Sequence, residues 1–141
     1  MNREVSAGII LFRYHPGREY LLLDYGSHWD FAKGHMETGE NPETTAAREL
    51  QEETAVRDAR FIPGFSESMR YFYRKAGENV LKMVIYFLAE TPTGNVTISR
   101  EHAGYAWLSY EDALQRLTFN NARELLTKAQ AFLDGRPPAT E

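Results

Sequence analysis

The stretch GHMETGENPETTAARELQEETAV, residues 34–56, limits the possible folds more than any other part of the chain. It begins with glycine-bearing residues whose backbone can bend tightly. Asn41 and Pro42 then supply a helix N-cap and a proline at the first helical position, and Glu43 places negative charge in the first turn, where the helix dipole favours it. The sequence therefore predicts a helix from Pro42 to about Thr54.

This predicted helix has one acidic and one apolar face. Glu49, Glu52 and Glu53 are spaced i, i+3 and i+4, so their carboxylates leave the same side of the helix. The opposite side carries small or apolar residues that suit close packing on a sheet, namely Ala46, Ala47 and Leu50. The helix is therefore expected to cover a β-sheet and to present its acidic face outward.

Segments on both sides of the helix have the β-branched, apolar composition of strands. Before the helix, residues 5–14 and 19–25 are predicted to pair around an HPGR turn, and residues 26–40 are predicted to be a loop. After it, strands are predicted at 60–74 and 79–90 around the turn KAGEN, followed by a short strand at 105–110.

Two further helices are predicted near the end of the chain. Ser109 and Asp112 resemble a capping box that opens a helix over YEDALQRL, and Asn120 or Asn121 can cap a helix over ARELLTKAQAFL. A mixed sheet with one central helix and helices at the end indicates an α+β or layered α/β/α domain. Residues 1–134 are interpreted as one domain, and residues 135–141 are predicted to be a disordered tail.

Charge and composition exclude several functions. The net charge is −4, and residues 34–56 hold six glutamates against one arginine, so the acidity is local. No basic face for double-stranded nucleic acid is evident. The sequence shows neither an 18-residue apolar span nor a secretory signal, so a cytoplasmic protein without membrane attachment is expected. With no cysteine in the chain, carboxylates and histidines are the available metal ligands.

The acidic helix face needs compensation, because like charges at these spacings each cost about 0.2–0.5 kcal/mol. Open solvent can provide it, and runs such as ELQEE are common on ordinary surface helices. A bound cation is the alternative, and oxygen ligands fit Mg²⁺ or Mn²⁺.

Residues 34–56 also resemble the Nudix box, G-x5-E-x7-R-E-U-x-E-E-x-G-U, in which U is aliphatic. Eight of its nine fixed positions match, namely Gly34, Glu40, Arg48, Glu49, Leu50, Glu52, Glu53 and Val56. The departure is Ala55, where the family has glycine. A match of this length is a specific signal. The resemblance implies a Nudix α/β/α sandwich, a mixed sheet with the box helix on one side and the C-terminal helices on the other.

The same resemblance implies hydrolysis of a nucleoside diphosphate linked to another group. It implies that Glu49, Glu52 and Glu53 hold two or more Mg²⁺ or Mn²⁺ ions with help from the backbone carbonyl of Lys33. It also implies that Arg48 pairs with Glu40 and braces the loop against the helix.

Outside the box, the chain resembles the asymmetrical diadenosine tetraphosphate hydrolases, which attack a terminal phosphorus with water and release AMP and ATP. The residues that carry this resemblance are HW (28–29), KGH (33–35), MVIYFLAE (83–90) and EHAGYAWL (101–108). It implies a small-molecule nucleotide as the partner, and a monomer is expected.

The resemblance also assigns substrate roles outside the box helix. Polyphosphate contacts are implied for His28, Lys33, His35 and Lys82. Tyr71 and Phe119 match positions that stack on adenine, although aromatic side chains at such places also serve as core residues. Glu101 matches an acidic residue that binds metal or positions water. The general base is left open among Glu101, Glu52 and Glu53, and activation of the water by metal alone is the further alternative.

Two other functions remain open from the sequence. One is a Nudix hydrolase of another nucleoside diphosphate derivative or of a 5′-triphosphate RNA end. The other is a nucleotide-binding module without turnover, and the presence of all three box glutamates argues against it.

Overall fold

The computed structural model describes residues 2–135. Within them the chain forms seven strands and three helices. In order these are β1 (Asn2–Tyr14), β2 (Arg18–Asp24), β3 (Trp29–Asp30), β4 (Ala32–His35), α1 (Pro42–Thr54), β5 (Arg60–Lys75), β6 (Glu78–Glu90), β7 (Gly104–Leu108), α2 (Tyr110–Arg116) and α3 (Asn120–Asp134). Across this part of the chain, none of the helices is long and apolar enough to span a membrane.

The strands form one mixed sheet in the order β3-β2-β1-β6-β5, with β4 also pairing with β1 and β7 with β2. Strands β1 and β6 are parallel and lie at the centre. The remaining pairs are antiparallel, including the β1–β2 and β5–β6 hairpins. Only Ala76 and Gly77 separate β5 from β6, so the predicted turn KAGEN was too long.

Helices cover both faces of the sheet. Because side chains alternate along a strand, β1 contributes Ile9 to a core cluster with Leu50 of α1. Its neighbour Ile10 belongs to the opposite cluster, which includes residues of α2 and α3 such as Ala113 and Leu126. The architecture is therefore the predicted α/β/α sandwich, with α1 on one side and the two C-terminal helices on the other.

Helix α1 begins as the sequence predicts, because the Asn41 side chain accepts a hydrogen bond from the backbone N–H of Thr44 at 2.8 Å. Its packing face differs from the prediction. Ala47 is exposed, whereas Glu53 is buried together with Leu50. The face that touches the sheet is therefore rotated toward Glu53.

Two further predictions were wrong. The segment 26–40 was wrongly predicted to be only a loop, because β3 and β4 lie within it and pair with β2 and β1. Helix α3 begins after Phe119, which provides no side-chain cap, so the predicted cap at Asn120 or Asn121 was wrong. Ser109 does cap α2. Of the predicted disordered tail, residues 136–141 lie outside the described residues.

Candidate active site

An acidic cavity of about 480 Å³ lies where α1, β1, β4 and β6 meet. It gathers most of the residues that sequence reasoning assigned to phosphate and metal. These are Lys33, His35, Glu49, Glu52, Glu53, Lys82 and Glu101, and Ser6, Tyr25, Gly34, Glu37 and Ser99 complete the lining. Residues from six separate parts of the chain therefore converge on one concave surface, which we call the acidic cavity.

Arg48 ties the loop before α1 to the helix. Its Nε lies 2.6 Å from Oε2 of Glu40, and its Nη2 donates to the backbone carbonyl of His35 at 2.9 Å. Its Nη1 donates to Glu49 at 2.9 Å and to Glu52 at 3.1 Å. The Arg48 guanidinium lowers the pKa of Glu40 to about 2. The structure thus contains the Arg48–Glu40 pair, and Arg48 compensates two further carboxylates.

The three box glutamates differ sharply in exposure. The Glu52 side chain is 58% exposed, that of Glu49 is 16% exposed, and that of Glu53 is only 8% exposed. The i, i+3, i+4 spacing places them on one side of α1, but Glu53 faces the protein interior and Glu52 faces solvent. Burial and the neighbouring Glu49 carboxylate raise the pKa of Glu53 well above its usual range.

Two aromatic side chains surround the Glu53 carboxylate. The hydroxyl of Tyr25 donates to Oε1 of Glu53 at 3.2 Å, and Nε2 of His102 lies 3.3 Å from the same oxygen. Nδ1 of His102 lies 2.9 Å from Oγ of Ser99, and burial lowers the pKa of the imidazole. A neutral His102 therefore faces Glu53 from the protein interior.

The acidic cavity fits a divalent cation by the chemistry of its donors. The Glu49 carboxylate lies close enough to that of Glu53 to raise its pKa, and a Cβ added to Gly34 would collide with Cδ of Glu49, so the glycine makes room for that carboxylate. Among residues 2–135, however, no three acidic or histidine side chains converge closely enough to hold an ion. The Arg48 guanidinium pairs with Glu49 and Glu52, so it compensates part of the negative charge of the cavity.

A second cavity, of about 510 Å³, is lined by aromatic and apolar residues together with the polar side chains of Asp30, Lys33, Asn120 and Asn121. We call it the aromatic cavity. Tyr71 and Phe119 both line it and are 39% and 50% exposed, so neither is an ordinary core residue. The His28 ring stacks on Tyr25 at 4.9 Å and lies 5.2 Å from Phe119. Three of the residues predicted to bind substrate thus meet away from the glutamates.

Lys33 lies between the two cavities and lines both. Its ammonium group is 2.8 Å from Oδ2 of Asp30 and 5.2 Å from the centre of the Tyr25 ring. The buried Asp30 carboxylate also accepts a hydrogen bond from the backbone N–H of Phe31 at 2.8 Å. Asp30 therefore fixes a cation at the point where the cavities meet.

Sequence reasoning missed Tyr25, Asp30 and His102. His102 follows Glu101 directly, and Asp30 lies between His28 and Lys33, so both were adjacent to residues already chosen. Their roles depend on burial and on contacts across the sheet, and neither can be deduced from their positions in the sequence.

The chain is similar to known proteins over nearly its whole length. A family model described as NUDIX domain matches residues 2–129. The mouse asymmetrical bis(5′-nucleosyl)-tetraphosphatase is 36% identical, with 94% of this chain and 97% of the mouse protein covered. The crystal structure of a binary complex of a Caenorhabditis elegans Ap4A hydrolase is similar with a TM-score of 0.83 and 31% identity, covering 94% of this chain and 99% of that chain.

A more distant structure shares the fold alone. The Escherichia coli dihydroneopterin triphosphate pyrophosphohydrolase has a TM-score of 0.73 at 19% identity, covering 91% of this chain and 97% of its own. The matched family model spans both α1 and the sheet that carries the two cavities. On the sequence match and the shared architecture, the chain belongs to the NUDIX family.

Proposed function

We propose that this protein hydrolyses diadenosine tetraphosphate asymmetrically, to AMP and ATP, with the help of Mg²⁺ or Mn²⁺. The observation that carries the proposal is the pair of adjoining cavities that share Lys33. One is acidic and suited to cations and phosphates, and the other is aromatic and suited to a base. A dinucleoside polyphosphate carries both a phosphate chain and bases. The mouse relative is named as a bis(5′-nucleosyl)-tetraphosphatase, an enzyme for such a compound.

In this proposal Glu49, Glu52 and Glu53 hold the ions, with Glu101 and the carbonyl of Lys33 as further ligands. Bound ions would offset the clustered carboxylates, stabilise charge on phosphate oxygens and lower the pKa of a water molecule. The donors of Lys33, His35 and Lys82 face the same cavity and would bind phosphate oxygens. Arg48 acts through Glu49 and Glu52, whose carboxylates it holds.

The aromatic cavity supplies the remaining binding energy. Tyr71 and Phe119 would stack on one adenine, and His28 lies beside Phe119 in the lining of the same cavity. Stacking on a base contributes about 1–3 kcal/mol. The base is thereby fixed relative to the phosphate that lies nearest to Lys33.

Product analysis in ¹⁸O-labelled water tests the proposal. Diadenosine tetraphosphate with Mg²⁺ should give labelled AMP and unlabelled ATP, because the water attacks the terminal phosphorus. Two molecules of ADP, label in ATP, or no turnover would contradict it. Nucleoside triphosphates and 5′-triphosphate RNA should be assayed in parallel, since faster turnover of either would identify a different substrate.

The variant Glu53→Gln tests the metal assignment. It should lower kcat at least about 100-fold while the circular dichroism spectrum is retained, because it removes one anionic ligand. Glu43→Gln is a matched control on the same helix, since Glu43 is exposed and lies outside both cavities. A near-normal rate for Glu53→Gln with Mg²⁺ would show that the assignment is wrong.

A further inference from the structure

The aromatic cavity contains two buried polar groups that the proposed roles do not use. Asp30 is 7% exposed and Tyr86 is 0% exposed, and both line the cavity alongside Tyr71 and Phe119. Both side chains are fixed by the sheet, since Asp30 ends β3 and Tyr86 lies in the central strand β6. Buried polar groups held this rigidly in the lining of a cavity are suited to select a ligand.

The hydroxyl of Tyr86 is unusual because it has no hydrogen-bond partner among residues 2–135. Leaving a buried hydroxyl unpaired costs about 1–3 kcal/mol. Most buried polar side-chain atoms in folded proteins have a partner. The position of Tyr86 in the cavity lining therefore favours a partner that enters from outside the chain.

Asp30 and Tyr86 offer complementary hydrogen-bonding groups. Oδ1 and Oδ2 of Asp30 each accept one hydrogen bond, from the Phe31 N–H and from Lys33, both at 2.8 Å. A carboxylate has about four acceptor positions, so acceptor capacity remains. Burial, together with the nearby charge of Asp30, holds the pKa of Tyr86 well above its usual value, so its hydroxyl keeps its proton and can donate.

We propose that Asp30 and Tyr86 read the edge of the base that stacks between Tyr71 and Phe119. Asp30 accepts a hydrogen bond from an exocyclic amino group, and the Tyr86 hydroxyl donates to the ring nitrogen beside it. Adenine presents these two groups next to each other. The inference rests on the proposed function, because that function places a base in this cavity.

Calorimetric binding of three nucleotides tests the inference without any turnover. AMP carries both groups, purine riboside 5′-monophosphate lacks the amino group, and 1-deaza-AMP lacks the ring nitrogen. The wild-type protein should bind AMP about 3- to 10-fold more tightly than either analogue, as expected for the loss of one hydrogen bond. GMP, which has a carbonyl in place of the amino group, should also bind more weakly than AMP.

Two variants assign the contacts. Tyr86→Phe should remove the preference for AMP over 1-deaza-AMP and keep the preference over purine riboside 5′-monophosphate. Asp30→Asn should reduce the preference for AMP over purine riboside 5′-monophosphate, because a neutral amide oxygen is a weaker acceptor than a carboxylate. Asp30→Asn also removes the ion pair with Lys33. This loss lowers the affinity for all nucleotides equally, so it does not alter the ratio of the affinities for AMP and its analogues.

Tyr14→Phe is the control, since Tyr14 is 52% exposed and lines neither cavity. Its nucleotide preferences should match those of the wild type. Equal binding of all three nucleotides, tighter binding of GMP, no measurable binding of AMP, or an unchanged ratio in Tyr86→Phe would overturn the inference.

The dinucleotide assay separates this inference from the proposed function. Release of AMP and ATP without base selectivity would overturn only the assignment of Asp30 and Tyr86. Selective AMP binding without hydrolysis of diadenosine tetraphosphate would overturn only the proposed function.

Discussion

Nε of Arg48 lies 2.6 Å from Oε2 of Glu40, so a residue inside α1 holds the loop that precedes the helix. Glu40 also accepts hydrogen bonds from the backbone N–H of Glu37 and the hydroxyl of Thr45. The loop and the first turns of the helix are therefore one hydrogen-bonded unit centred on a single carboxylate. This arrangement has a consequence for stability at low pH.

The pKa of Glu40 falls from its ordinary 4.5 to about 2 in the folded protein, mainly through Arg48. A lowered folded pKa stabilises the protein above the unfolded pKa, and this contribution is lost as the pH falls through the folded value. We expect Glu40→Gln to have a lower Tm than the wild type at pH 7. The difference should stay constant down to about pH 5 and shrink between about pH 4.5 and 2.

Thermal unfolding across this pH range checks the expectation. Glu111→Gln, an exposed glutamate in the first turn of α2, is the control and should show little such dependence. A wild-type advantage over Glu40→Gln that persists unchanged at pH 2 would contradict the assigned role of the ion pair.

Gly34→Ala should separate activity from stability. The new Cβ would lie 2.0 Å from Cδ of Glu49, but this carboxylate ends a flexible side chain and can move aside. We expect a loss of less than about 1 kcal/mol in the free energy of unfolding. The displaced carboxylate should lower kcat at least about 10-fold, since about 1.4 kcal/mol of transition-state stabilisation corresponds to tenfold.

Urea unfolding and steady-state kinetics on the same preparation measure both effects. Gly17→Ala provides the control, because nothing lies within 4 Å of a Cβ added there. A normal kcat for Gly34→Ala would mean that the position of the Glu49 carboxylate does not matter for turnover.

Ala55→Gly should stabilise the protein. Ala55 ends α1 with φ of 63°, a left-handed conformation that costs alanine about 1–2 kcal/mol and glycine almost nothing. Part of this gain is lost because glycine is more flexible in the unfolded chain. The net gain in the free energy of unfolding should be about 0.5–1 kcal/mol, measured in urea.

The comparison variant Ala131→Gly should have the opposite sign. Ala131 is an exposed residue within α3, where glycine costs about 1 kcal/mol relative to alanine. Destabilisation by Ala55→Gly would show that the left-handed conformation is not strained at this position.

Tyr71→Ala should raise KM for diadenosine tetraphosphate more than it lowers kcat, because stacking binds the ground state and the transition state alike. A stacking contribution of about 1–3 kcal/mol corresponds to an increase of about 5- to 150-fold. Phe72→Ala is the matched control. Phe72 is 66% exposed, its side chain points to the other face of β5, and it lines neither cavity. An unchanged KM for Tyr71→Ala would exclude stacking.

The sequence alone determined the features that depend on near neighbours in the chain. Asn41 caps α1 and Ser109 caps α2. In each case the side-chain oxygen accepts a hydrogen bond from the backbone N–H three residues later, so the contact is local in the chain. The long strands followed from their apolar composition. The spacing of Glu49, Glu52 and Glu53 and the glycine at 34 identified the box helix and its acidic surface.

Only the tertiary structure decided how these parts meet. Burial of Glu53 beside His102, the ion pair of Asp30 with Lys33 at the junction of the cavities, and the short strands β3 and β4 were not predicted. Each depends on residues brought together by the sheet rather than by the chain. Helix period fixes which side chains share a face, whereas the rotation of that face toward the core is set by packing against distant strands.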